Sequence, residues 1–332
     1  MEKKTNTLRD LGERGLIRWF QDLITPYDKA LLSGMEDAVA VSLNDEAIIA
    51  NSDMLVGSTD VLPGMSASEI AWKAGVMGLS DLAAKGAVPL GVIVSLGFPA
   101  DTETNFAAAI VGGLNCVCRD HDTYYLGGDT NQCLDLVIDC TAIGKASQKQ
   151  ILRRSGANLG DLIATTGDFG YTGALFKALL RGYSEPHELV EQIRQSALRP
   201  RARLKEGQIL GQSGLASASI DSSDGLAWSL HELAAASRVG FQLDNIPIPE
   251  VCKKFAITND LNPIDLALYG GEEFELVVTI PPEKWEKART LVQEVGGSLV
   301  RIGTIHEEHE KVLQLNGRNI PIEPKGYEHF SE

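Results

Sequence analysis

The stretch Ser66-Ala-Ser-Glu-Ile-Ala-Trp-Lys-Ala-Gly-Val-Met-Gly-Leu-Ser-Asp-Leu-Ala-Ala-Lys-Gly86 decides the fold. Ser66 with Glu69 forms a capping box, which satisfies backbone N–H groups at a helix start. Gly86 supplies the stop, so the pattern predicts a helix over 67–86. On it Ile70, Ala74, Met77, Asp81 and Ala84 fall at i, i+4, i+7, i+11 and i+14, one continuous stripe. A carboxylate in an apolar stripe has to be paired, hydrogen-bonded or metal-bound, because burying it alone is costly. Asp81 is therefore a ligand or a core aspartate bonded to nearby backbone amides.

Working outward, strand-like runs at 38–43 and 47–50 precede this helix and one at 88–96 follows it. An Ala-rich helix at 102–120 and strands at 123–126 and 134–143 complete a first unit, one mixed sheet covered by helices. A polar, basic passage at 144–160 leads to a second unit. There the pattern predicts strands at 161–165, 216–220, 274–280, 299–305 and 312–315, with helices at 171–181, 187–197, 202–213, 226–237 and 285–295. An amphipathic helix at 7–24 places Leu8, Leu11, Leu16, Trp19 and Leu23 on one side. The expected class is α/β (α+β type) in two domains, 1–145 and 146–332, the second an α/β sandwich-like unit.

A chain of 332 residues is longer than most single domains, and 44% apolar residues suffice for two cores. The net charge of −15 argues against nucleic acid and against an anionic membrane surface. No apolar run reaches a membrane span and no signal-type stretch follows Met1, so a soluble cytoplasmic protein is expected. Cys116, Cys118, Cys133, Cys140 and Cys252 contain no CxxC pair and read as reduced thiols. His306-Glu-Glu-His309 has the wrong spacing for a zinc helix and reads as a turn between strands.

Five acidic segments carry the chemistry: Glu36-Asp37, Ser52-Asp53, Ser80-Asp81, Gly127-Gly128-Asp129 and Asp221-Ser-Ser-Asp224. Asp53 and Asp129 each follow an apolar run and are expected where a strand leaves the core. Gly127-Gly128 either lets backbone amides approach a phosphate or makes a tight turn. Asp224 or Ser223 either caps the helix at 226 or joins Asp221 around a hard cation. Two carboxylates ~5 Å apart repel by roughly 3 kcal/mol at an effective dielectric near 20. Divalent cations are the usual way to hold such a cluster. No phosphate-binding GxxxxGK[ST] loop, dinucleotide GxGxxG or Gly-x-Ser-x-Gly elbow occurs. Arg153-Arg154 are the best basic candidates.

In this order the motifs resemble the thiamine-monophosphate kinase family, of the aminoimidazole-ribonucleotide-synthetase-like superfamily. The carriers are Met35-Glu-Asp-Ala38, Asn51-Ser-Asp-Met-Leu55, Gly78-Leu-Ser-Asp-Leu-Ala-Ala84, Gly127-Gly-Asp-Thr130, Arg154-Ser-Gly-Ala157, Ile220-Asp-Ser-Ser-Asp-Gly-Leu226, Gly270-Gly-Glu-Glu-Phe-Glu-Leu276 and Lys325-Gly-Tyr-Glu-His-Phe330. The resemblance implies Mg²⁺-dependent transfer of phosphate from ATP to thiamine monophosphate. It implies metal ligands Asp37, Ser52, Asp53, Asp81, Asp129, Asp221 and Asp224. It assigns ATP contacts to Gly128, Asp129, Arg154 and Ser223, and substrate contacts to Asp60, Glu272 and Tyr327. A homodimer with joined N-terminal sheets is implied too. Here Glu36, Asn51, Asp60 and Phe274 depart from the family pattern, Asp60 standing where relatives often carry His. A purine-pathway cyclo-ligase of the same superfamily and a catalytically silent nucleotide-binding paralogue are the alternatives.

Overall fold

The capping box forms as expected. In a computed structural model, Ser66 Oγ accepts from Glu69 N at 3.3 Å and Glu69 Oε2 accepts from Ser66 N at 2.7 Å. The structure describes residues 7–25, 27–32, 34, 36–183, 186–307 and 309–330. Met35 of the first motif, Glu308 of the His306–His309 stretch and residues 331–332 lie outside them.

The first half contains α1 (Leu8–Leu23), β1 (Ala30–Leu32), β2 (Val39–Leu43), β3 (Glu46–Val56), α2 (Gly57–Asp60) and α3 (Ala67–Ala84). After them come β4 (Val88–Phe98), α4 (Thr104–Asp120), β5 (Tyr125–Gln132) and β6 (Val137–Ser147). Its sheet has the order β1-β2-β3-β6-β4-β5, antiparallel except for β4 beside β5. That parallel pair is the βαβ unit built by the Ala-rich helix α4. Strand β6 runs on through Gly144 to Ser147, into the stretch read as a passage between domains.

The second half holds β7 (Leu162–Thr165), α5 (Tyr171–Arg181), α6 (His187–Ala197), α7 (Leu204–Ser213), β8 (Ala218–Asp221) and α8 (Leu226–Ser237). It continues with β9 (Gly240–Leu243), α9 (Glu250–Thr258), α10 (Pro263–Tyr269), β10 (Leu276–Ile280), α11 (Trp285–Glu294), β11 (Val300–His306), β12 (Lys311–Leu315) and β13 (Arg318–Pro321). The order is β13-β12-β9-β11-β7-β10-β8, with one parallel pair, β9 and β12. The two-domain α/β expectation holds, and both sheets are mixed. Strand β9 and helices α9 and α10 escaped the sequence reading, because each is short and lacks a long periodic run.

Helix α3 explains how the halves meet. Its residues Ile70 to Ala84 are buried almost all round, so the expected single stripe is in fact a helix packed on two sides. Leu79, Leu82 and Ala83 share one core with Val94 and Cys140 of the first sheet and with Leu276, Val278 and Leu210 of the second half. Trp72 Nε1 donates to Pro200 O across the same boundary at 2.7 Å. Gly207 of α7 passes so close to α3 that a Cβ there would collide with the Ala83 carbonyl. A separate core behind the second sheet packs α8 residues Leu226, Leu230 and Leu233 on Phe241 and Ile302.

Among the described residues, no helix covers the other face of the first sheet. Val39, Val41, Leu43, Met54 and Ile93 lie exposed there. Helix α1 also departs from expectation: Leu8, Leu11, Trp19 and Leu23 are exposed and only Leu16 is buried. The cause is Gly12, whose φ of 65° breaks the helix and with it the stripe.

Replacing Gly207 by Val should lower unfolding free energy by about 1–3 kcal/mol through overpacking against α3. Urea denaturation measures it, and an unchanged midpoint would show that the α3–α7 contact can yield.

Candidate active site

Four of the acidic residues come together although they belong to four different segments. Asp37 precedes β2, Asp53 lies within β3, Asp81 sits in the last turn of α3, and Asp221 ends β8. Asp37, Asp81 and Asp221 each offer a carboxylate oxygen, all within 4.8 Å of one another. Ser80 Oγ donates to Asp221 Oδ2 at 2.8 Å, tying β8 to α3. Asn51 Nδ2 donates to Asp53 Oδ2 at 3.0 Å.

Asp53 is not at a strand end, since Met54-Leu55-Val56 continue β3 in register with β6. It faces α3 because residues of a strand alternate sides, and its partner Cys140 is buried in the same core. Burial first, then the nearby Asp139 and Asp37, push the Asp53 carboxyl up to about 6, against bonds from Asp81 and Asn51 that lower it. Burial and three neighbouring acids, Asp53, Asp221 and Asp37, hold Asp81 well above the usual range. Asp221 is raised to about 7, again chiefly by burial. Asp37 goes the other way: despite burial, Lys85 and Arg154 hold its carboxyl below the usual range. Lys85 Nζ lies 2.7 Å from Asp37 Oδ2 and 2.5 Å from Glu36 Oε2, and Arg154 Nε donates to Asp37 Oδ1 at 2.8 Å.

Two cations therefore serve Asp37 and Glu36, while Asp53, Asp81 and Asp221 keep surplus negative charge in a buried place. Hard carboxylate oxygens at this spacing suit a divalent cation such as Mg²⁺ or Ca²⁺. Asp37 Oδ2 also lacks a well-aligned hydrogen bond within the protein.

Not every candidate joins this group. Ser52, next to Asp53, points to the opposite face, where its Oγ donates to Asp139 Oδ1 at 2.7 Å. Asp129 is exposed in the middle of β5, not at its end, and stands in register with Ser95, which stands opposite Asp139. Gly127-Gly128 are strand residues rather than a tight turn. Gly128 is required by contact, since a Cβ there would strike the Val94 carbonyl of β4. Asp224 and Ser223 do not cap α8, whose N-cap is Gly225. Asp224 instead lies 3.0 Å from Arg14 Nη2. A cavity of about 180 Å³ is lined by Arg14, Glu36, Arg154, Asp221, Ser223 and Asp224, so the ATP candidates Arg154 and Ser223 border it while Gly128 and Asp129 do not.

Asp60, Glu272 and Tyr327 form a second group. Burial and the charges of Asp60 and Glu272 raise the Tyr327 hydroxyl to about 12. Lys73 Nζ of α3 lies 2.5 Å from Glu272 Oε1 and donates to Asp60 O at 2.7 Å. The Asp60 carboxylate is turned back to accept from Val56 N at 2.7 Å. The loop carrying Glu272 is strained: Glu272 and Phe274 have φ of 60° and 55°. Backbone bonds from Glu272 N to Ser223 O and from Phe274 N to Ser222 O zip it to the loop after Asp221.

Sequence reading missed Lys73, Lys85, Asp139, Arg14 and Glu232. A signal existed for two of them. Lys73, Asp81 and Lys85, with Met77 between them, recur at four-residue intervals and set three charges along a buried helix. Nothing comparable marks Asp139, Arg14 or Glu232, whose partners are far away in the chain. His306, the last residue of β11, lies with its Nδ1 2.9 Å from Glu310 Oε2 in the turn before β12.

Residues 35–146 match the family model for the AIR synthase related protein N-terminal domain, and residues 159–316 match that for its C-terminal domain. The chain is 38% identical to the thiamine-monophosphate kinase of Pyrococcus horikoshii, over 96% of both chains. It is 32% identical to that of Nitrosopumilus maritimus, over 93% of this chain and 97% of that one. The solved structure described as "AaThiL complexed with AMPPCP and TMP" superposes with a TM-score of 0.86 at 26% identity, covering 98% of this chain and 100% of the other. Motif order, the convergence of acids around α3 and full-length similarity agree, and the chain belongs to the thiamine-monophosphate kinase family of AIR synthase related proteins.

Proposed function

We propose that this protein is a kinase that transfers the γ-phosphoryl group of ATP to the phosphate of thiamine monophosphate, giving thiamine diphosphate and ADP. The observation that carries the reading is the meeting of Asp37, Asp53, Asp81 and Asp221 beside Arg154. The names of the full-length relatives, and the nucleotide analogue and TMP named for the similar structure, support it.

Direct phosphoryl transfer depends on positioning and charge neutralisation, with no covalent role for the protein. The acceptor phosphate has a second pKa of about 6, so it is ionised near neutral pH without a strong base. Magnesium, if held by these carboxylates, would supply the positive charge needed where two phosphate groups meet. Asp37, Asp53, Asp81 and Asp221 are its proposed ligands, with Asp224 joining from the cavity side. Ser52 and Asp129, with Asp139, are proposed to hold a further cation on the open sheet face. Arg154, Ser223, Gly128 and Asp129 are the proposed nucleotide contacts. Asp60, Glu272 and Tyr327 would meet the thiamine end. Two carboxylates and an aromatic ring suit its cationic thiazolium, and Lys73 keeps Glu272 in place.

On this reading residues 1–145 supply most metal ligands and the dimer contact, while 146–332 complete the active site. The exposed row Val39, Val41, Leu43, Met54 and Ile93 supports a homodimer through the first sheet, because contiguous apolar surface marks an interface. The setting is the cytoplasm, where ATP is available and the five free thiols stay reduced. Among the described residues no helix is long and apolar enough to cross a membrane.

Purified protein with Mg²⁺, ATP and thiamine monophosphate should form thiamine diphosphate, and Asp81→Asn or Asp221→Asn should lower kcat by about 10²-fold or more. Turnover of aminoimidazole precursors, with none of thiamine monophosphate, would move the assignment to a cyclo-ligase. Introducing Val41→Asp with Ile93→Asp should convert a dimer into monomers by sedimentation velocity. A wild type that sediments as a monomer rules the interface out.

The raised carboxyls add a pH signature. Asp53 and Asp221 keep protons up to about 6 and about 7 in the folded state, whereas an unfolded chain releases them near pH 4. The folded form binds more protons between about pH 4 and 7, so the metal-free protein loses stability as pH rises through that window. Asp37, lowered by its cations, acts oppositely, but only below about pH 4. Mg²⁺ should therefore raise the Tm more at pH 7.5 than at pH 5. Equal shifts at both would take the cation away from these carboxylates.

A further inference from the structure

Arg14 stands on the surface helix α1, yet its side chain crosses to α8 and enters the cavity beside Arg154. Its Nη2 lies 3.0 Å from Asp224 Oδ2 and 3.1 Å from Glu232 Oε1. Its Cζ lies 3.7 Å from the centre of the Trp228 ring. Arg154 reaches the same Glu232 through Nη1, at 2.5 Å. One carboxylate thus holds two guanidinium groups, and among the described residues these are the cations that line the cavity. The nearby lysines are committed elsewhere, Lys85 to Glu36 and Asp37 and Lys73 to Glu272.

A guanidinium carries five N–H donors in a planar fork. Arg14 uses Nε and Nη2 on Glu232 and Asp224, and among the described residues Nη1 forms no hydrogen bond. The Trp228 stack holds the plane of the fork in one orientation, the geometry that favours bidentate contact with phosphate over a diffuse counter-ion role. Arg14 is also fixed from behind. Glu13 Oε2 accepts from His329 N at 2.9 Å, and Tyr327 N of the same tail donates to Asp224 O at 3.1 Å.

We propose that Arg14 is a nucleotide-binding residue: with Arg154, and bridged to it by Glu232, it forms a two-arginine clamp for the polyphosphate of ATP. Helix α1 then closes one side of the nucleotide site, and the tail bearing Tyr327 is fastened to the same helix. This rests on the ATP reading given above.

The test compares wild type, Arg14→Gln and Arg14→Lys by calorimetric titration with a non-hydrolysable ATP analogue at saturating Mg²⁺, with steady-state kinetics alongside. Arg14→Gln should weaken analogue binding by about 10- to 100-fold, the worth of a hydrogen bond to a charged group. KM for ATP should rise in parallel while kcat and KM for the phosphate acceptor change little, and Arg14→Lys should recover part of the loss. Unchanged or tighter analogue binding in Arg14→Gln, with only a lower Tm, would overturn the clamp and leave Arg14 as the counter-ion of Asp224. Should Arg14→Gln fail to fold, Arg14→Lys decides alone: wild-type affinity overturns the proposal and weakened affinity supports it. A wild type that binds no analogue would sink the ATP reading itself, a result distinct from a variant that binds as well as wild type.

Discussion

Like charges brought together in a buried place set the terms for the rest of this molecule. Asp53, Asp81 and Asp221 converge where α3 is enclosed by both halves of the chain. Burial and mutual repulsion raise all three carboxyls, two of them to about 6 and about 7. Lys85 pairs with Asp37 and Glu36, and Arg154 with Asp37 and Glu232, so neither cation forms an ion pair with Asp53, Asp81 or Asp221, and Arg154 offsets the raised Asp81 and Asp221 only in part. Such a cluster persists only if protons or external cations neutralise it. At neutral pH the cluster calls for external positive charge, which is the physical ground for the cation proposed there.

The surround is rigid for identifiable reasons. Helix α3 packs on the first sheet with one side and on α7 and the second sheet with the other, so Asp81 and Ser80 cannot shift independently of either half. Ser80 fixes Asp221, and Gly207 allows α7 to approach to backbone contact. The loop before β10 accepts two left-handed, non-glycine residues, Glu272 and Phe274. Strain of that kind is tolerated where surrounding bonds over-determine the backbone, and the zip to Ser222 and Ser223 does so here. The same zip brings Glu272 into line with Asp221, linking the acidic cluster to the group around Tyr327.

Charge is also distributed with a purpose across the two groups. Arginines gather on the cavity side, at Arg14 and Arg154, where phosphate charge would accumulate. Carboxylates and a tyrosine gather at the other group, with Lys73 confined to Glu272 and the Asp60 backbone. That polarity suits a co-substrate pair in which one end is strongly anionic and the far end carries a positive ring.

Local pattern determined a great deal. The capping box, the buried aspartate on α3, the order of the acidic motifs and the two-domain α/β class follow from spacing that a helix or strand imposes on its own residues. The charges of Lys73, Asp81 and Lys85, spaced with Met77 every four residues, were equally legible, because a four-residue interval is a property of a single helix. Strand register was not. Whether Asp53 faces α3 and Ser52 the open side, or whether Asp129 ends a strand or lies within it, depends on pairing with residues far along the chain. The arginine pair on Glu232 is the extreme case, since Arg14 and Glu232 share no local pattern at all. Secondary structure is dictated by nearest neighbours, whereas the neutralisation of a buried charge depends on whichever distant group the packed chain brings within a few ångströms, and only the tertiary structure could decide that.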